Sequence, residues 1–194
     1  TAADVDNGSN DACGIDSLSV TPSSFTCAEV GGNTVTLTAT DNNGNTDVCT
    51  AIVTVVDTSA PSAICQDLTV HLDATGNASI TAADVDNGSS DPCGINSLSV
   101  TPNTFTCSDR GMNTSTLTVT DNNGNVNTCT ATVTVVDSVS PIAVCQDITV
   151  HLDLSGNASI AGSDIDGGSS DACGIFNLSA SPNTFTCAEV GANL

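Results

Sequence analysis

The chain has no tryptophan, no tyrosine and no lysine, one methionine, four phenylalanines and a single arginine, Arg110. Each shortage closes off a class of function. Without Trp or Tyr there is no stacking platform of the kind carbohydrate-binding faces use. One basic residue against 22 acidic ones gives a formal net charge of −21. That charge excludes nucleic acid and anionic membrane surfaces as partners on electrostatic grounds. Apolar runs such as Val55-Val56 are far too short for membrane insertion as a helix. Helical periodicity and helix caps are also missing, which leaves an all-β chain as the expectation.

What is present is repetition. Residues 81–160 repeat residues 1–80 at most positions, and residues 161–194 begin a third copy. Solenoid coils close in roughly 20 to 50 residues, so an 80-residue period predicts one small domain per repeat, near the low end of what folds alone. No nucleophile and base recur together in the repeat, and an enzyme is not expected. The stretch Val55-Val56-Asp57-Thr58-Ser59-Ala60-Pro61 returns as Val135-Val136-Asp137-Ser138-Val139-Ser140-Pro141, and its proline blocks continuation of the preceding strand. The expected domains are therefore residues 1–57, the C-terminal part of a repeat; 58–137, a complete repeat; and 138–194, the N-terminal part of a third. Both ends fall inside a repeat and no initiator Met is present, so the chain is expected to be a window on a longer protein.

The strand signal is strongest near the end of each copy. In residues 114–120 Leu117 and Val119 alternate with Thr, and in residues 129–135 Ala131, Val133 and Val135 do the same. Between them Asp121-Asn122-Asn123-Gly124-Asn125 reads as a hairpin turn. Ile148, Val150 and Leu152 alternate in the first strand of the expected third domain, residues 138–194. Short strands punctuated by turns predict tandem immunoglobulin-like Greek-key sandwiches in a linear array.

Ten cysteines occupy four positions per repeat. An even set at fixed spacing in an aromatic-poor domain predicts a disulfide framework and an oxidising, extracellular or cell-surface location. Zinc is disfavoured because no Cys-x-x-Cys pair occurs. Of three possible connectivities per repeat, Cys93 with Cys107 is expected, since Pro102 can fold the short segment between them back on itself. Cys65 is then left for Cys129, and the repeat gives Cys13 with Cys27 and Cys173 with Cys187. Cys49 and Cys145 find no partner under this scheme and are expected to pair between molecules or beyond these residues. Such bridges stabilise by roughly 3 to 4 kcal/mol each.

An opening Pro141-x-x-x-Cys145-Gln-Asp-Ile-Thr-Val strand, the Asp84-x-Asp86-Asn-Gly88 loop, the Phe105-Thr-Cys107 segment and the closing hairpin from Thr120 to Asp137 resemble the hyalin repeat. More narrowly, the chain is similar to the cysteine-rich form found in long arrays in large bacterial surface and secreted proteins. The resemblance implies an immunoglobulin-like sandwich, an extracellular location and an adhesive or structural role. The second cysteine pair departs from many family members.

The most distinctive chemistry is the acidic loop Asp84-Val85-Asp86-Asn87-Gly88-Ser89-Ser90-Asp91, copied at Asp4, Asp6 and Asp11 and at Asp164, Asp166 and Asp171. Alternating acids before a glycine set oxygens round a hard cation, as calcium requires. The terminal Glu of a true EF-hand loop is absent, and an Asx-rich turn with solvated carboxylates is the competing reading. In a linear array of sandwiches Asp57 at the exit of one domain would meet Asp84, Asp86 and Asp121 of the next, with Asp41 and Asp137 as repeat copies. Such carboxylates repel unless neutralised, and calcium is the expected cofactor.

His71 and His151 lie on the Thr-bearing parity of the first strand and read as surface residues. Asn77-Ala78-Ser79 and Asn157-Ala158-Ser159 are formal glycosylation sequons. The expected function is the structural repeat region of a long extracellular protein, an adhesin stalk or fibre. Its expected partners are neighbouring repeats of the same or identical chains, with extracellular glycans or surfaces as external candidates. The alternative is a carbohydrate- or ligand-binding accessory module of a secreted multidomain enzyme.

Overall fold

A computed structural model describes residues 1–191, and every structural statement below concerns those residues. Residues 192–194 of the expected third domain lie outside them. The protein is mostly β, with several sheets. With copies counted as residues 1–57, 58–137 and 138–194, the first forms β1 (Ile15–Thr21), β2 (Gly31–Asp41) and β3 (Thr46–Val55), an antiparallel sheet in the order β1-β2-β3. The second forms β4 (Leu68–His71), β5 (Asn77–Ser79), β6 (Ile95–Thr101), β7 (Thr104–Thr106), β8 (Gly111–Asp121) and β9 (Val126–Val136). Four of these make a sheet in the order β4-β9-β8-β6, while β5 pairs antiparallel with β7 elsewhere. The third copy contributes β10 (Asn157–Ser159) paired with β11 (Thr184–Thr186), in the register of β5 with β7.

The sequence alternation is the burial pattern. Along β8, Ser115, Leu117, Val119 and Asp121 are buried and the threonines between them are partly exposed; along β9, Ala131, Val133 and Val135 are buried. The predicted strands 114–120 and 129–135 fall inside these two elements. Gly124 between them has φ +90°, the left-handed region a tight turn needs. Leu68 pairs with Val133 and His71 with Val136 in parallel, so the opening strand of the copy lies along its closing strand.

Two expectations are corrected. Ile148, Val150 and Leu152 do not form a strand, and Ile148 and Val150 are about 40% exposed. Their counterpart β4 is held by β9, and the third copy contains no counterpart of β9 within these residues. Short helices, though unexpected, do form: α1 (Ala2–Val5) and α2 (Ala82–Val85), with single 3-10 turns at Cys27–Glu29, Cys107–Asp109, Gly162–Asp164 and Cys187–Glu189. Their signal is the Thr-x-x-Asp or Thr-x-x-Glu spacing of a capping box, except at Gly162–Asp164, where Ala161 stands in the Thr position. Thr81 donates through both its backbone N and Oγ1 to Asp84 Oδ2 at 2.7 Å.

The chain divides into two compact units. One comprises Thr1–Cys65, Asp86–Ser99 and Leu117–Cys129; the other comprises Gln66–Val85, Val100–Thr116 and the chain from Thr130 onward. Each mixes residues of successive copies. In the first, Val35, Leu37, Leu117 and Val119 are the buried apolar side chains, joined by Pro61. In the second they are Leu72, Ile80, Val85, Val100, Phe105, Ala131, Val133 and Val135.

Candidate metal centres beside disulfide staples

The disulfides connect copies. Cys27 bonds to Cys93 and Cys107 to Cys173, each across 66 residues, so the third cysteine position of one copy, counted as in residues 58–137, is tied to the second of the next. Cys65 bonds to Cys129 inside the second copy. The expected pairs Cys93 with Cys107, Cys13 with Cys27 and Cys173 with Cys187 are therefore corrected. The reason lies in the strands between them: β6 follows Cys93 and joins β8, whereas β7 precedes Cys107 and joins β5, so the segment does not fold back as a hairpin. Cys13, Cys49, Cys145 and Cys187 are exposed thiols. Shifting the observed bridges by one 80-residue period puts the partners of all four outside the chain.

Gly76 lets the second staple close. At φ +78° it lies so near Cys107 that a Cβ would come within 2.6 Å of Sγ and 3.3 Å of Ala172 Cβ. Any side chain at that position would push into the bridge.

Beside each staple two aspartates converge. Asp57, just past β3, accepts a hydrogen bond from Ser59 N at 2.9 Å through Oδ1, and Asp91, before β6, accepts one from Cys93 N at 2.7 Å through Oδ1. These Asx turns use one oxygen of each carboxylate. The Oδ2 atoms of both are buried with no hydrogen-bond partner. Carboxylate oxygens of Asp57 and Asp91 and the sulfur of Cys93 lie within 4.8 Å of one another, and Asp137, Asp171 and Cys173 repeat the cluster one period on. There Asp171 Oδ2 is likewise buried and unpartnered.

Like charges with desolvated, unpartnered oxygens cost free energy unless a positive charge compensates. At the second cluster the only arginine of the chain supplies part of it, Arg110 Nη1 standing 3.9 Å from Asp137 Oδ2. In the first copy the position of Arg110 is Val30. Sulfur in a disulfide is not a thiolate, so the donors available are hard carboxylate oxygens, which suit a hard divalent cation rather than zinc.

The other predicted acids are committed to their own turns. Asp4 caps Thr1, and Asp164 accepts from Ala161 N at 2.8 Å, as Asp84 does from Thr81. Asp6, Asp86 and Asp166 accept from the backbone N of Ser9, Ser89 and Ser169 at 2.9, 3.0 and 2.8 Å. Asp11 holds Cys13 N at 2.7 Å. Around Asp57 the carboxylate that the structure gathers is thus Asp91, not the expected set of Asp84, Asp86 and Asp121. Asp121 reaches Asp57 only through Asn125, whose Nδ2 donates to Asp121 Oδ2 at 2.8 Å and to the Asp57 carbonyl at 3.3 Å. Asn127 adds a second tie, from Nδ2 to the Pro61 carbonyl at 2.9 Å. Sequence reasoning overlooked Arg110 and these two asparagines; the uniqueness of the arginine was the available signal.

These turns make stability depend on pH. Hydrogen bonds from the side chain and backbone of Ser9, Ser89 and Ser169 hold Asp6, Asp86 and Asp166 below the ordinary carboxylate value. A depressed folded-state value contributes stability that is fully present above the unfolded value near 4 and is lost as pH falls through the folded values. Denaturant midpoints are expected to stay level from neutral down to about pH 5 and to fall steeply below about pH 4. A midpoint that rises on acidification would contradict the assignment.

The chain matches no family model. It also matches no curated protein. Three disulfides are consistent with an extracellular or otherwise oxidising setting. Among the described residues no helix is long and apolar enough to cross a membrane.

Proposed function

We propose that this chain is a stretch of a long extracellular array of immunoglobulin-like, hyalin-repeat-type domains. It serves as an adhesin stalk or fibre, stapled by disulfides and stiffened by calcium, and performs no catalysis. The observation that carries this reading is the pair of copy-to-copy bridges, Cys27–Cys93 and Cys107–Cys173, set one period apart. A bridge that joins each copy to the next has a use only where copies follow one another. The neighbouring of β6, β8 and β9 in one sheet and the transfer of β7 to a different sheet from β6 support a sandwich, in which consecutive strands change sheets.

Calcium would be held by Asp57 with Asp91 and by Asp137 with Asp171, where it would neutralise the unpartnered oxygens. Two carboxylates fall short of the six to eight oxygens calcium takes, so affinity belongs in the weak extracellular range of roughly 10⁻⁴ to 10⁻³ M. Small-angle scattering of the chain in millimolar calcium should give a longer particle than in chelator, and Asp91→Asn should reproduce the chelated profile. Electron microscopy of the native material should show filaments or surface-tethered stalks. Identical scattering profiles with and without calcium would remove the stiffening role, and a dispersed globular particle in the micrographs would remove the array.

A further inference from the structure

The staples change the route by which tension crosses the chain, and we infer that they make it a strain-limited tether in which force bypasses most of each repeat. Each staple spans 66 residues of an 80-residue period. The polypeptide left on the shortest covalent path between one staple and the next is the segment from Cys93 to Cys107. That is about 14 residue steps, roughly 50 Å when fully drawn out, against roughly 280 Å for a whole repeat. The remaining residues hang in closed loops that carry no load while the staples hold.

The third bridge does a different job. A path from Cys93 back to Cys65, across to Cys129 and back to Cys107 runs parallel to the short one but is several times longer, so it stays slack. Cutting the segment between Cys93 and Cys107 puts the load on this path, which then keeps the molecule in one piece, and loss of the Cys27–Cys93 staple likewise sends the load across Cys65 and Cys129. The loaded segment is itself anchored, since β6 belongs to the four-stranded sheet and β7 is paired with β5, so these pairings must yield before it lengthens. Removing a staple exposes the loop to force, whereas removing the third bridge does not.

This inference deepens the structural reading and can fail separately from it. A glycan ligand would overturn that reading without changing the extension, and an unstapled extension would overturn the tether without touching the array. The test is single-molecule pulling of the full chain through cysteine-free peptide tags at its two ends, with bridges verified by non-reducing peptide mapping. The oxidised chain should stretch to residues 1–27, 93–107 and 173–194 only, roughly 210 Å, about one third of the roughly 680 Å of the reduced chain. Cys65→Ala with Cys129→Ala should leave the oxidised length unchanged, while Cys27→Ala with Cys93→Ala should add roughly 160 Å. The readout is the length of the fully stretched chain and does not require either variant to fold. Equal oxidised and reduced lengths, or lengthening in the Cys65 and Cys129 variant alone, would overturn the inference.

Discussion

Replacing Cys65 and Cys129 together by alanine is expected to lower the stability of the chain by about 4 kcal/mol, measured as a shift in denaturant midpoint under oxidising conditions. The bridge closes a loop of 64 residues. Releasing a loop of that length returns about 4 kcal/mol of conformational freedom to the unfolded chain. A domain of this size has a net stability of only about 5 to 15 kcal/mol. The core offers little to offset the loss: it is built from Val, Leu, Ile and Ala with Phe105 as its one fully buried aromatic. Full reduction removes all three bridges and is expected to unfold the chain at ambient temperature, seen as loss of β-sheet circular dichroism. A midpoint shift below about 1 kcal/mol for the double variant would show that packing alone sustains the fold.

The fold was legible where a local pattern decides structure. Alternation of Leu117 with Val119 and of Ala131 with Val133 and Val135 marks two strands, and Asp121 to Asn125 marks the turn between them, because side-chain parity and turn chemistry are written in consecutive residues. The same pattern at Ile148 and Val150 failed, since a strand needs an edge to pair with and periodicity is blind to that. Cysteine pairing was misread for a related reason. Sequence proximity favoured Cys93 with Cys107, yet bridging is fixed by where β6 and β7 go, and they enter different sheets. Of the candidate centre, the acidic character was evident and the partner of Asp57 was not. Asp91 and Asp86 are five residues apart in one loop, and only the turn closed by Asp91 on Cys93 selects between them.

Asp121→Ala is expected to cost about 3 kcal/mol, whereas the same change one repeat earlier, Asp41→Ala, should cost about 1 kcal/mol. The two carboxylates make matching hydrogen bonds. Asp121 accepts from Asn123 N at 2.9 Å, Asn125 N at 2.8 Å and Asn125 Nδ2 at 2.8 Å; Asp41 accepts from Asn43 N, Asn45 N and Asn45 Nδ2 at 2.8, 2.8 and 2.7 Å. What differs is solvent. Asp121 is fully buried and Asp41 is only partly so. Burial opposes the Asp121 charge, yet the side chain of Asn125 and the backbone N–H groups of Asn125, Asn123 and Gly124 outweigh it and hold the carboxyl below its ordinary value. Deleting the acceptor leaves part-buried donors unsatisfied at position 121 and exposed donors at position 41, and the donors with less access to water carry the larger penalty. Asp121→Asn keeps the shape and one acceptor oxygen and should fall between the two. The loss reaches the candidate metal centre as well, because Asn125 freed from Asp121 no longer holds the Asp57 carbonyl, and amide exchange at Asn125 and Ser59 should accelerate together. Equal losses for Asp121→Ala and Asp41→Ala would mean that burial does not set the strength of this turn.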